Sequence, residues 1–164
     1  MGKHPKIDLP ADKRVHFLNV LAVLMLVESV VYVVIAYGSL PETVPTHFNG
    51  KGEVDGWGHK ATVFLLPIIA VITYVPLYFI SKAPHTFNFP GEITEENVAR
   101  LYQSARLFVT IINVETVAIF TSLSWETVRA AQGHDTFGVW SIIAIIAVPL
   151  ITVIIFMVRM RQLR

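Results

Sequence analysis

The chain has 164 residues, enough for one domain, and carries 54% hydrophobic but only 15% charged residues at a formal net charge of +1. A water-soluble domain has about 25% charged residues, so with a mean hydropathy of +0.58 the main solvent is expected to be lipid, and the near-neutral balance argues against nucleic acid as a partner. There is no cysteine, which excludes disulfides, thiolate metal sites and cysteine nucleophiles.

In chain order, the first apolar run spans about residues 17–38, FLNVLAVLMLVESVVYVVIAYG. It exceeds the ~7–15 residues of a signal-peptide core and reads as a retained span of roughly the 20 residues a bilayer requires. A polar loop, 39–60, follows. A second span is predicted over 61–80. The connection SKAPHTFNFPGEITEENVAR breaks at Asn88 to Gly91, and Thr94 then offers an N-cap with Glu95 and Glu96 in the first turn. A long third helix is expected over 95–132, with its membrane part at 106–125 and Gly133 closing it. A fourth span is predicted over 138–158, capped by Asp135 or Thr136. Pro67, Pro76 and Pro149 are expected to kink helices two and four. In hydrocarbon the backbone must satisfy its own hydrogen bonds, so all four runs read as helices despite many β-branched residues. The fold class is therefore all-α: one polytopic membrane domain, residues 1–164, with four transmembrane helices and a short extracytoplasmic hairpin-like loop.

Lysine and arginine set the orientation. Lys3, Lys6, Lys13, Arg14, Lys82, Arg100, Arg106, Arg159, Arg161 and Arg164 fall on one side, and Lys51, Lys60 and Arg129 on the other. By the positive-inside rule both termini are cytoplasmic, in a plasma membrane, and the 39–60 loop faces out.

That loop contains LPETVPTHFNGKGEVDGWGHK, residues 40–60, with two histidines, three acids, two lysines, four glycines and two prolines. Asn49-Gly50 and Lys51-Gly52 are turn signals between VPTHF and EVDGW and predict a hairpin. Trp57 and Phe48 suit the membrane interface. Lys60 stands at a helix start, where a cation is unfavourable, and is expected to pair with Asp55 or Glu53 or to snorkel to head groups. His47, Asn49, Asp55, Trp57 and Lys60 form the candidate binding surface. His47, Glu53, Asp55 and His59 are the candidate ligands for a divalent metal. Their spacing matches no zinc template, so a hydrogen-bonded hairpin with no cofactor is the preferred reading.

Leu40, Pro41, Val44, Pro45, His47, Phe48, Asn49, Gly52, Asp55, Trp57 and Lys60 also fit the pattern L-P-x-x-[IV]-P-x-H-[FW]-[ND]-x-x-G-x-x-D-x-[WYF]-x-x-K. In this the chain resembles a family of small bacterial and archaeal membrane proteins of unknown function, in which the loop joins two transmembrane helices. Longer members resemble the immunity factor that protects spore-forming bacteria from a secreted sporulation-delaying toxin. Those add helices with an N-P-x-x-G-x-R-type motif, which this chain lacks, so the resemblance covers about residues 15–80. It implies no catalytic residues.

Within the spans, Glu28 and Glu115 lie near the middle of helices one and three, with no lysine or arginine at that depth. Intramembrane carboxylates are costly when charged and unpaired, so each is expected to be protonated, share a proton or hold a cation. Thr110, Asn113, Val117, Thr121 and Ser124 form a stripe beside Glu115, and Glu126 and Arg129 are expected to pair at the outer surface. Neutral glutamates tying helices together are preferred over a proton or cation relay. The functional expectation is a non-catalytic binding or regulatory membrane module or complex subunit, immunity-like in character, with the outer loop as recognition surface. Its partners would be the bilayer and other membrane subunits or further copies of the chain. The alternatives are a small proton- or cation-coupled transporter using Glu28 and Glu115, and a metal-dependent membrane enzyme.

Overall fold

The structure, a computed structural model, describes residues 4–89, 91–136 and 138–163. It is mostly helical, and four helical segments are long and apolar enough to cross a membrane: Lys13–Tyr37, Lys60–Ser81, Val98–Ala131 and Val139–Gln162. A two-stranded sheet joins the first two.

Helix α1 (Lys13–Tyr37) starts before its apolar run does, because Asp12 caps it. The Asp12 carboxylate accepts the Arg14 backbone N–H at 2.9 Å and the Arg14 guanidinium at 2.8 Å. Strands β1 (Thr43–Phe48) and β2 (Val54–His59) pair antiparallel, with a register shift around His47. Asn49 N–H donates to the Glu53 carbonyl at 2.8 Å and Gly52 N–H to the Asn49 carbonyl at 2.9 Å. With Gly52 at φ +82°, this is a three-residue hairpin loop ending in a left-handed glycine. The Asn49 side chain holds it, accepting from Lys51 N–H at 2.8 Å and Glu53 N–H at 3.1 Å.

A 3-10 turn (Lys60–Phe64) leads into α2 (Leu65–Ser81), so the second span opens more tightly wound than an α-helix. His59 caps this turn, its Nδ1 accepting from Ala61 N–H at 3.2 Å. Pro67 falls in the first turn of α2, where a missing N–H is tolerated; Pro76 and Pro149 are the prolines inside helices.

Helix α3 (Val98–Ala131) follows a turn in which Thr94 N–H donates to Asn97 Oδ1 at 2.9 Å and Asn97 N–H to Thr94 Oγ1 at 3.3 Å. This is a capping box with asparagine in the reciprocal role, and the helix proper starts after it rather than at Glu95. At the far end Gly133 adopts φ +83°, with Gly133 N–H on the Ala130 carbonyl and His134 N–H on the Arg129 carbonyl, each at 3.1 Å. That is the Schellman arrangement expected of a glycine at this position. Helix α4 (Val139–Gln162) has Gly138, not Asp135 or Thr136, in its N-cap position, without a side-chain cap bond.

Helix α3 is the hub and packs against α1, α2 and α4. Core clusters follow its length. Val44 of the hairpin joins Val33, Ala36, Val63 and Val128 at one end. Ala22, Leu26, Ala70 and Val117 lie midway. At the opposite end, Val98, Leu101 and Tyr102 gather Ile7 and Leu9 from before α1 with Met160 and Leu163 from the end of α4. The segment before α1 and the end of α4 therefore share one face, where the Tyr102 hydroxyl donates to the Pro5 carbonyl at 2.9 Å. The hairpin occupies the other face. Between the faces the surface is apolar: Ile35 is 76% exposed and Ile72 63%. In water such a belt would drive association; in a bilayer it is the lipid-contacting surface.

Candidate functional site

The hairpin is the densest polar structure on its face of the molecule. Its mounting begins with Val44, fully buried against α1 and α3. A second anchor is Gly52, which is buried and so close to Gly138 that a Cβ would stand 2.7 Å from the Gly138 backbone. This contact ties the hairpin tip to the start of α4.

Glycine also arranges the polar residues. A Cβ at Gly56 would lie 2.8 Å from His47 Cβ, and one at Gly58 2.8 Å from Thr46 Cγ2. The alternate glycines of β2 thus clear space for the side chains of β1. His47 Nδ1 makes a short contact with Asp55 Oδ1 on the solvent side. Trp57 stands beside them, 58% exposed.

Of the five expected binding residues, His47, Asp55 and Trp57 are presented outward. Asn49 is committed to the loop, its Nδ2 also donating to Glu53 Oε2 at 2.9 Å. Lys60 is committed to the hairpin base. It pairs with Glu42 rather than Asp55 or Glu53, donating to Oε1 at 2.8 Å, with its ammonium 5.3 Å from the Tyr37 ring centre. The Lys60 ion pair holds the Glu42 carboxyl below the usual carboxylate range. His59 Nε2 lies 3.6 Å from the second Glu42 oxygen. Glu42 is the residue sequence reasoning missed. Only the backbone pairing, Lys60 N–H to the Glu42 carbonyl at 2.9 Å, places it opposite Lys60.

The four candidate metal ligands divide. His47 meets Asp55, Glu53 meets Asn49, and His59 turns to Ala61 and Glu42. Among the described residues no group of three or more metal-capable side chains gathers. The reason is strand geometry: Asp55 and His59 are four positions apart, about 13 Å along a strand.

The intramembrane polar residues also take separate places. Asn113 is buried and its Nδ2 donates to the Tyr74 carbonyl of α2 at 3.1 Å. Glu115 turns to α4, where Thr152 Oγ1 donates to its Oε1 at 2.5 Å. The other Glu115 oxygen is buried with no hydrogen-bond partner among the described residues, beside a 200 Å³ cavity also lined by Ser122 and Pro149. Glu28 is exposed on the apolar surface of α1 and does not meet Glu115. Glu126 is buried near the hairpin end of α3. The Arg129 guanidinium lies 5.1 Å from the Trp125 ring centre.

Residues 24–71, which run from α1 through the hairpin into α2, match the family model described as a domain of unknown function, DUF1648. An uncharacterized protein of Archaeoglobus fulgidus is 32% identical over 151 residues, covering 81% of this chain and 80% of that protein. No solved structure matches the chain. The chain belongs to the family of that archaeal protein, a family of unknown function, and the part that matches the DUF1648 model is its first two helices and their hairpin.

Proposed function

We propose that the protein is a non-catalytic membrane module, a regulatory or complex subunit, that recognises a partner through its hairpin. The observation that carries this reading is an exposed Trp57 beside the His47–Asp55 pair, on a loop fixed to the helices by Val44 and Gly52. Rigidly held, exposed tryptophan is a frequent energetic centre of protein interfaces. Eight of the ten lysines and arginines assigned to the cytoplasm lie among the described residues, on the face opposite the hairpin. This supports placing the hairpin outside a plasma membrane and both termini in the cytoplasm. The loop's resemblance to the toxin-immunity factor supports a protective form of such recognition, directed at an extracellular peptide. Glu28, a carboxyl on the lipid-facing side of α1, supports assembly with another membrane subunit, because a partner's hydrogen-bond donor would relieve its exposure to hydrocarbon.

The test is quantitative mass spectrometry of complexes isolated in mild detergent from the native membrane. A partner retained by wild type and lost from the H47A/D55A/W57A variant, with helix content unchanged, is the expected result. Identical partner sets would contradict the reading.

A second reading rests on the Glu115 oxygen that lacks a hydrogen-bond partner among the described residues, beside its cavity: the α3–α4 interface carries a proton or cation. Flux into proteoliposomes that disappears in E115Q would support it, and absence of wild-type flux would end it.

A further inference from the structure

A second polar site lies on the face opposite the hairpin. Lys82 at the end of α2, His85 in the 3-10 turn after it (Pro84–Thr86) and Arg106 of α3 line a 260 Å³ cavity together with Asp8 and Tyr102. The lining holds two permanent cations and a histidine against one carboxylate, Asp8. The Tyr102 hydroxyl is already committed to the Pro5 carbonyl, and the Lys82 ammonium rests 4.1 Å from the Tyr78 ring centre. Arg106 has no such commitment. Its Nε is buried and has no hydrogen-bond partner among the described residues, and it forms no ion pair with any of them.

A desolvated guanidinium N–H without an acceptor is unfavourable, and native structures rarely keep one. Arginine's planar fork fits phosphate oxygens two at a time, and an ammonium adds a point charge beside it. Position selects the source of the phosphate. Arg106 stands where the apolar part of α3 begins, and Lys82 where α2 ends. The cavity is therefore level with the edge of the apolar belt, the depth of lipid head groups.

We infer that Lys82, His85 and Arg106 form a binding site for the phosphate of an anionic phospholipid head group. Inorganic phosphate offers the same chemistry from solution.

The full-length protein, purified in a neutral detergent, is titrated with phosphatidylglycerol or phosphatidylcholine, and retained lipid is counted by native mass spectrometry. A parallel arm measures the thermal shift given by inorganic phosphate alone. Variants are R106Q, K82Q and R100Q. Arg100 is exposed on α3 and does not line the cavity, so R100Q removes the same charge without touching the site. Phosphatidylglycerol should be retained in preference to phosphatidylcholine, with roughly tenfold weaker binding in R106Q and wild-type binding in R100Q. If R106Q does not give a folded, monodisperse protein, K82Q carries the comparison and should weaken binding severalfold. A phosphate-induced shift lost in the same variant, without lipid retention, would support the site with a soluble ligand. Equal weakening by R100Q and the cavity variant would reduce the effect to general attraction and overturn the proposal, as would binding of neither lipid nor phosphate.

Discussion

Lys60 begins a helical segment, a position that disfavours a cation, and the protein answers with Glu42 and the face of Tyr37. Because the Lys60 contact depresses the Glu42 pKa, the sign of its pH dependence follows. The contribution is present above the unfolded carboxylate value, about pH 4.3, and is lost as pH falls through the lower folded value. Thermal unfolding of wild type and E42Q should therefore differ at pH 7, and the gap should shrink as the pH falls below the ordinary carboxylate range; a gap independent of pH would contradict the pairing. Inside the membrane, T152V removes the donor to Glu115 and should cost about 1 kcal/mol or less, read by unfolding in mixed micelles. Glu28 gives the opposite sign. It faces the apolar surroundings, so E28L should stabilise the isolated chain, on the order of 1–3 kcal/mol, while weakening any complex that uses the carboxyl. These partner choices were not legible in the sequence. In lipid both the inward and outward sides of a helix are apolar, so periodicity does not report which way Glu28 or Glu115 turns.

At the level of elements, the hairpin was the most legible part, because Asn49 and Gly52 carry turn chemistry independent of tertiary context. The Gly133 stop and the Thr94 turn were legible for the same reason. The start of α4 was not: Gly138 takes the N-cap position without a side-chain cap bond and lies against Gly52, a long-range packing fact. Two glycines with nearly equal φ separate conformation from crowding. G133A meets open space and pays only for its left-handed backbone, about 1 kcal/mol. G52A meets the same backbone restriction and the Gly138 main chain as well, so its cost should reach roughly 2–4 kcal/mol. Differential scanning calorimetry should rank G52A below G133A, and limited proteolysis should open the hairpin in G52A first. Equal stabilities would mean that the tip is not anchored on α4.

For the whole molecule, composition and four apolar runs were enough to find the spans, since a chain with so little charge cannot cover itself with polar surface. The arrangement of the spans needed the structure. Helix α3 is the centre because it holds residues buried along its full length, from Val98 to Val128, whereas α4 has Phe156 as its buried residue among those described. The result is a molecule with two unlike ends, a polar hairpin packed on the helices at one and a basic face at the other. The most direct check of this polarity uses the natural absence of cysteine. Gly50 is exposed and a Cβ there meets nothing within 4 Å, so G50C introduces one unhindered thiol at the hairpin tip. A membrane-impermeant maleimide should label G50C in intact cells and K6C only after permeabilisation. The reverse pattern would place the hairpin inside and remove the basis for an external partner.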